Sequence, residues 1–167
     1  MKQKLLIAQA VQGNRSALEQ LVRQYYDAIY NYIFQRVRSR ETAEDLTQDV
    51  FVKLTAGISS YRPSFSAFLY RIARNRVIDY YRTHREAEEL TEDMSFRDPG
   101  PHMEEKLFVR DMLKQLSPEQ RECILLYYFH DLTYREIAQI LDIPVPTAKS
   151  RVRRGIACCR RWMEETK

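Results

Sequence analysis

Thr147, Lys149, Ser150, Arg151, Arg153 and Arg154 crowd into the stretch DIPVPTAKSRVRRGI (142–156), and no acid occurs between Asp142 and Glu164. These residue types at this density suit one kind of chemistry. Arg and Lys donate to O6 and N7 of guanine, and Ser and Thr reach several base edges. A helix N-terminus would add backbone N–H groups for phosphate. On an ordinary helix surface the same side chains would merely be solvated. The element that carries them therefore decides their meaning.

Other chemistries find less support. His84, His102 and His130 lie on separate segments, and the chain has no HxxxH, no CxxC and no Gly-rich phosphate loop. An enzyme acting on nucleic acid would need a carboxylate or His cluster. Asp45 and Asp49, four residues apart, share a helical face and imitate a metal pair, but a solvated or partner-facing acidic surface explains them better. We therefore expect no catalytic residue, no metal site, no cofactor and no enzyme activity. Three Cys (123, 158 and 159) without paired spacing argue against a disulfide framework and for thiols in a reducing cytosol. The start, MKQKLLIAQAVQG, is too short in apolar residues for a secretory leader. The run 124–129 is far below a membrane span. A soluble, cytoplasmic chain without membrane insertion is expected.

The elements that must position the basic stretch read as helices. Residues 2–12 form a short helix ended by Gly13. The box SALE (16–19) starts a long helix to about residue 38, with Leu18, Leu21, Val22, Tyr25, Ile29, Ile33 and Val37 at three- and four-residue steps. A third helix over 41–58 carries the stripe Ala43, Leu46, Val50, Leu54 and turns Asp45, Gln48, Asp49 and Lys53 to other faces. SSYRPSFS (59–66) is a loop. A fourth helix runs from about 66 to 84, with Phe68, Leu69, Ile72, Ala73 and Tyr80 inward and Arg71, Arg74, Asn75 and Arg82 outward. Further helices cover 103–116, the segment after SPEQ (117–120), the segment after TYRE (133–136) to about 141, and 146 to about 164. The fold class is all-α: a four-helix domain over 1–85, a flexible acidic linker over 86–102, and a second helical domain over 103–167.

Charge follows this division. Residues 1–85 hold 14 Lys and Arg against 7 Asp and Glu, residues 86–105 hold 1 against 8, and residues 106–167 hold 12 against 8. Two basic blocks flank an acidic strap, and basic faces commonly meet nucleic acid or anionic membrane.

Residues 133–156 read as helix, short turn, helix, with Ile137, Ala138 and Leu141 inward on the first and Ala148, Val152 and Ile156 at four-residue steps on the second. That is the layout of a helix-turn-helix, whose second helix enters the major groove. Pro144 ends the preceding helix, and Pro146 sits in the first turn of the next, where a missing N–H costs little. A stand-alone helix-turn-helix regulator is the alternative to a larger machine. Such proteins usually dimerise on palindromes, and neither a dimerisation helix nor a ligand domain is visible.

LSPEQRECILLYYFHDLTYREIAQILDIPVPTAKSRVRRGI (116–156) resembles the C-terminal promoter-reading domain of bacterial RNA polymerase sigma factors, most of all the extracytoplasmic-function group. AEDLTQDVFVKL (43–54) and FSAFLYRIARNRVIDYYR (65–82) are similar to the N-terminal domain of the same group. The resemblance spans nearly all of 15–162. It implies that Asp45, Gln48, Asp49 and Phe51 meet the β′ clamp helices of core polymerase, with the β flap as a further contact. It implies that Tyr61, Arg62, Ser64, Phe65, Arg71, Arg74, Asn75 and Arg82 handle the −10 element, where a base leaves the stack and the promoter melts. Thr147, Lys149, Ser150, Arg151, Arg153 and Arg154 would read the −35 element, with Arg121 on phosphate. The group also implies an anti-sigma partner that can hold the chain at the membrane. Pro146 stands where the family commonly has Gly, Ala148 where it has Val, and Phe68 where it often has Trp.

Overall fold

A computed structural model describes residues 2–61, 64–84 and 103–166. The expected linker over 86–102 and Arg62 lie outside the described residues. Among the described residues every regular element is helical, and the chain divides into two compact units, 1–92 and 93–167.

In the first unit, α1 (Lys2–Val11), α2 (Arg15–Val37), α3 (Arg40–Gly57) and α4 (Phe65–His84) pack around one core, with a 3-10 turn over Ile58–Ser60. Gly13, at φ +91°, makes the reversal between α1 and α2 that an L side chain would resist. The box SALE does not cap α2 as its sequence suggests. Asn14, in extended geometry, accepts from the Ala17 N–H at 3.1 Å, because the tight Gly13 turn delivers the chain to helical geometry two residues earlier than Ser16. Ser39 caps α3 by accepting from the Thr42 N–H. The α3 stripe Ala43, Leu46, Val50 and Leu54 is buried, as are Leu21, Ile29, Tyr32 and Ile33 of α2 and Leu69, Tyr70, Ala73 and Val77 of α4. Each fully buried large side chain contributes about 1.5–3 kcal/mol. Thr47, the buried polar residue of α3, satisfies its hydroxyl on the Ala43 carbonyl at 2.6 Å. Phe68, Ile72 and Tyr80 are half-buried, so the inward face of α4 is Phe65, Ala67, Leu69, Tyr70, Ala73 and Val77.

The second unit contains α5 (Met103–Lys114), α6 (Pro118–Ile124) continuing as a π-helical segment over Leu125–Phe129, α7 (Tyr134–Leu141) and α8 (Val145–Glu165). Both capping boxes form. Ser117 and Gln120 exchange bonds at the start of α6, as do Thr133 and Glu136 at the start of α7. What ends α7 is Asp142 in the left-handed region, its N–H on the Ala138 carbonyl, a conformation a short polar residue tolerates. Pro144 does not end α7. It stands at the N-cap of α8, which begins at Val145 with Pro146 in its first turn. Ile137, Ala138 and Ile140 of α7 are buried, while Leu141 is half-buried.

Candidate nucleic-acid interface

The α7–α8 pair presents the basic stretch because the opposite face of α8 is locked. Ala148 and Val152 are fully buried, and Gly155 and Cys159 continue that face. A Cβ added at Gly155 would lie 2.5 Å from Ile124 Cδ1 and 3.2 Å from its Cγ1. Glycine is therefore what lets α8 cross α6 at this closeness. Ala148 fits the core with no exposed surface, so the smaller side chain is absorbed by close packing.

With that face fixed, Lys149, Arg153 and Arg154 are exposed, while Thr147, Ser150 and Arg151 are half-buried. Arg151 leans toward α6. Its positive charge acts on Glu119 and on the Cys123 thiol of α6. Glu119 is held below the usual carboxylate range by hydrogen bonds from its own backbone and from Ser117, with Arg151 adding to them. Burial pushes the Cys123 thiol up, and Arg151 opposes that in part. Arg153 lies near Tyr134, which stacks on Tyr127 at 4.9 Å and 7°. The Tyr127 hydrogen bond holds the Tyr134 phenol above its ordinary range.

Two expectations change here. Arg121 was expected on phosphate, yet its Nε donates to the Leu113 carbonyl at 2.9 Å and its Nη2 to the Leu116 carbonyl at 3.2 Å. It satisfies one carbonyl in the last turn of α5 and one just beyond it, where a cation also suits the helix dipole. The backbone at the start of α8 is likewise committed: Pro146 has no N–H, and those of Thr147 and Ala148 both donate to the Pro144 carbonyl. The start of α8 therefore offers phosphate fewer backbone donors than an ordinary helix start, and its basic side chains carry more of that contact.

In the first unit, Arg71, Asn75 and Arg82 are exposed on α4 and Arg74 is half-buried beside them. Ile78, 38% exposed, completes the stripe Arg71–Asn75–Ile78–Arg82 at helical spacing. Sequence reading missed it because an isolated Ile is ordinarily core. At the start of α4, Tyr61 is half-buried. Ser64 accepts from the Ala67 N–H and so caps the helix. Phe65 is buried, only 5% exposed, between Tyr25 and Tyr61. Phe65 is thus a wall of this region and cannot itself be the surface a base stacks on.

On α3, Asp45, Gln48 and Asp49 are exposed as expected. Phe51 is not: it is buried and stacked on Tyr26 at 5.9 Å, holding α3 to α2. Asp49 pairs with Arg76 of α4 at 2.6 Å. Val52, 70% exposed, lies one heptad on from Asp45 and adds an apolar element to that acidic face. A lone apolar residue three past Asp49 carries no motif, which is why sequence reading passed over it. Among the described residues no group of three or more His, Cys, Asp or Glu could hold a metal ion, and no helix is long and apolar enough to cross a membrane.

Residues 21–87 match the family described as Sigma-70 region 2, and residues 109–159 match that described as Sigma-70, region 4. Over 140 residues the chain is 34% identical to the RNA polymerase sigma factor YlaC of Bacillus subtilis (strain 168), spanning 77% of this chain and 81% of YlaC. It is 29% identical to the ECF RNA polymerase sigma factor SigW of the same organism, over 95% of each chain. Its fold is similar to that of CnrH, solved in complex with the cytosolic domain of CnrY, with a TM-score of 0.75, 25% identity and all of both chains covered.

Proposed function

Because the chain belongs to the extracytoplasmic-function group of RNA polymerase sigma factors, we propose that it divides promoter reading between its two units, α8 taking the −35 element and α4 with the residues before it taking the −10 element. The chain is a promoter-specificity subunit that acts with RNA polymerase on promoter DNA. The division of labour assigns residues 1–85 to core binding and −10 melting, residues 103–167 to −35 reading, and residues 86–102 to a tether between them.

The observation that carries this reading is the geometry of α8. Lys149, Arg153 and Arg154 are exposed where Ala148, Val152 and Gly155 lock the other face. A helix so held can enter a major groove with its basic side chains foremost. Thr147, Ser150 and Arg151, half-buried, serve at the edge of that contact. In the first unit, Arg71, Asn75 and Arg82 follow phosphates and bases along α4, and Tyr61 offers a ring to an extruded base, since aromatic faces suit unstacked bases of any sequence. Asp45, Gln48 and Val52 form the face offered to the β′ clamp helices, with Asp49 tied into it through Arg76. The β flap is assigned to the second unit.

The role is binding rather than catalysis. CnrH is solved in complex with the cytosolic domain of CnrY, and an anti-sigma partner, able to tether the chain at a membrane, is the regulator we assign here. The place of action is the cytoplasm, at the nucleoid. In vitro transcription with added core polymerase, followed by mapping of start sites, tests the reading. Specific starts that depend on this chain are expected. A chain that binds DNA but neither associates with core nor directs starts would instead be a stand-alone regulator.

A further inference from the structure

The residues around the start of α4 form one connected group, and one member, Tyr25, is distant in sequence from all of the −10 candidates. Tyr25, half-buried on α2, is held at its hydroxyl from two sides. The Gln3 side-chain amide of α1 donates to it, and Ser66 Oγ in the first turn of α4 lies 3.2 Å away. Its ring meets Phe65 edge-on, with centroids 5.4 Å apart at 62°. Phe65 in turn meets Tyr61 at 5.8 Å and 82°, and Tyr61 meets Phe68 at 6.5 Å. Three helices, α1, α2 and α4, thus converge on one phenol, and a run of aromatic rings leads from it to Tyr61.

Capturing an extruded base needs a pocket whose walls are set before the base arrives, because unstacking already costs a few kcal/mol and any ordering of the walls adds to it. Tyr61 follows the 3-10 turn and rests on Phe65 and Phe68. Phe65, buried, rests on Tyr25, and Tyr25 is fixed against sliding or rotation by polar partners on two other helices. We propose that Tyr25 is a positioning residue for −10 base capture, aiming Tyr61 through Phe65, with α1 as its anchor through Gln3. This rests on the reading of Tyr61 as a −10 contact. Tyr25 acts through Phe65 and is assigned no base contact of its own.

The test uses holoenzyme assembled from core polymerase and the full chain. Opening of a duplex promoter is followed by permanganate reactivity of −10 thymines, beside core affinity and transcription from the same promoter with its −10 region already unpaired. Tyr25→Leu should slow opening by about tenfold while leaving core affinity and the pre-opened template near wild type. Tyr25→Phe, which keeps the ring and loses both hydroxyl bonds, should fall between. A Tyr25→Leu holoenzyme that opens the duplex at the wild-type rate while Tyr61→Ala is slow overturns the positioning role and leaves the −10 reading standing. If Tyr61→Ala also opens normally, the −10 reading fails and the proposal with it. Equal loss on both templates together with weakened core binding marks general damage and overturns the proposal as well. Should Tyr25→Leu not fold, Tyr25→Phe and Gln3→Ala carry the test, and normal opening by both overturns it.

Discussion

Two arginines of the second unit, alike in type, have opposite fates. Arg154 is exposed on α8, whereas Arg121 spends two donors on the Leu113 and Leu116 carbonyls at and just past the end of α5. Arg154→Ala should therefore weaken promoter binding by about 1–3 kcal/mol if the side chain reads a base, with no change in the thermal midpoint. Arg121→Ala should cost about 1–3 kcal/mol of stability by removing two charge-assisted hydrogen bonds to part-buried carbonyls, and should weaken DNA binding only as far as it unfolds the unit. Melting curves beside promoter titrations separate the two. Lys149→Ala, if it meets phosphate, should lower affinity for all sequences and reduce the salt slope by about 1.

At the scale of the element, α8 works because it cannot rotate. A turn of α8 about its axis would need Ala148, Val152 and Gly155 to leave the core, and Gly155 sits where no other side chain fits without moving Ile124. Gly155→Val should destabilise the unit by about 1–3 kcal/mol through overpacking, and −35 binding should fall more than stability alone accounts for, since the helix must tilt or turn to make room. A binding loss that vanishes once the folded fraction is corrected for would refute the coupling between this crossing and the DNA face. The capping boxes of α6 and α7 set where their helices start. At α8 the same task falls to Pro144 and Pro146, which fix backbone angles without donating a hydrogen bond.

At the scale of the whole molecule, polymerase binding and DNA reading are assigned to different faces, so they should fail separately. Gln48→Ala or Val52→Ala should weaken core association about tenfold or less, in keeping with truncations of one interface residue, without changing the thermal midpoint. Binding of the chain's second unit to a −35 duplex should be unaffected. Asp49→Ala is expected to add only a small stability loss, since its pair with Arg76 is partly exposed and such pairs contribute at most about 1 kcal/mol. Equal loss of core and DNA binding in every variant would show that the faces are not independent.

Most of the fold was legible in the sequence because its signals are local. Helical spacing of apolar residues, the boxes SPEQ and TYRE, and the two prolines at the start of α8 each act within one or two turns. The basic stretch and the promoter-reading resemblance were legible for the same reason. What the sequence could not decide depends on how turns and helices meet in space, some of them neighbours in the chain and some far apart. Asn14 displaces Ser16 as a cap because of the Gly13 turn. Phe51 and Phe65 are drawn into the core by Tyr26 and Tyr25. Arg121 is claimed by the Leu113 and Leu116 carbonyls. Tyr25 gains its place at the start of α4 from Gln3 and Ser66, 22 and 41 residues away. Residue type and spacing determined which side chains could bind nucleic acid. Packing between helices decided which remain free to do so, because a side chain committed to a buried partner cannot also reach DNA.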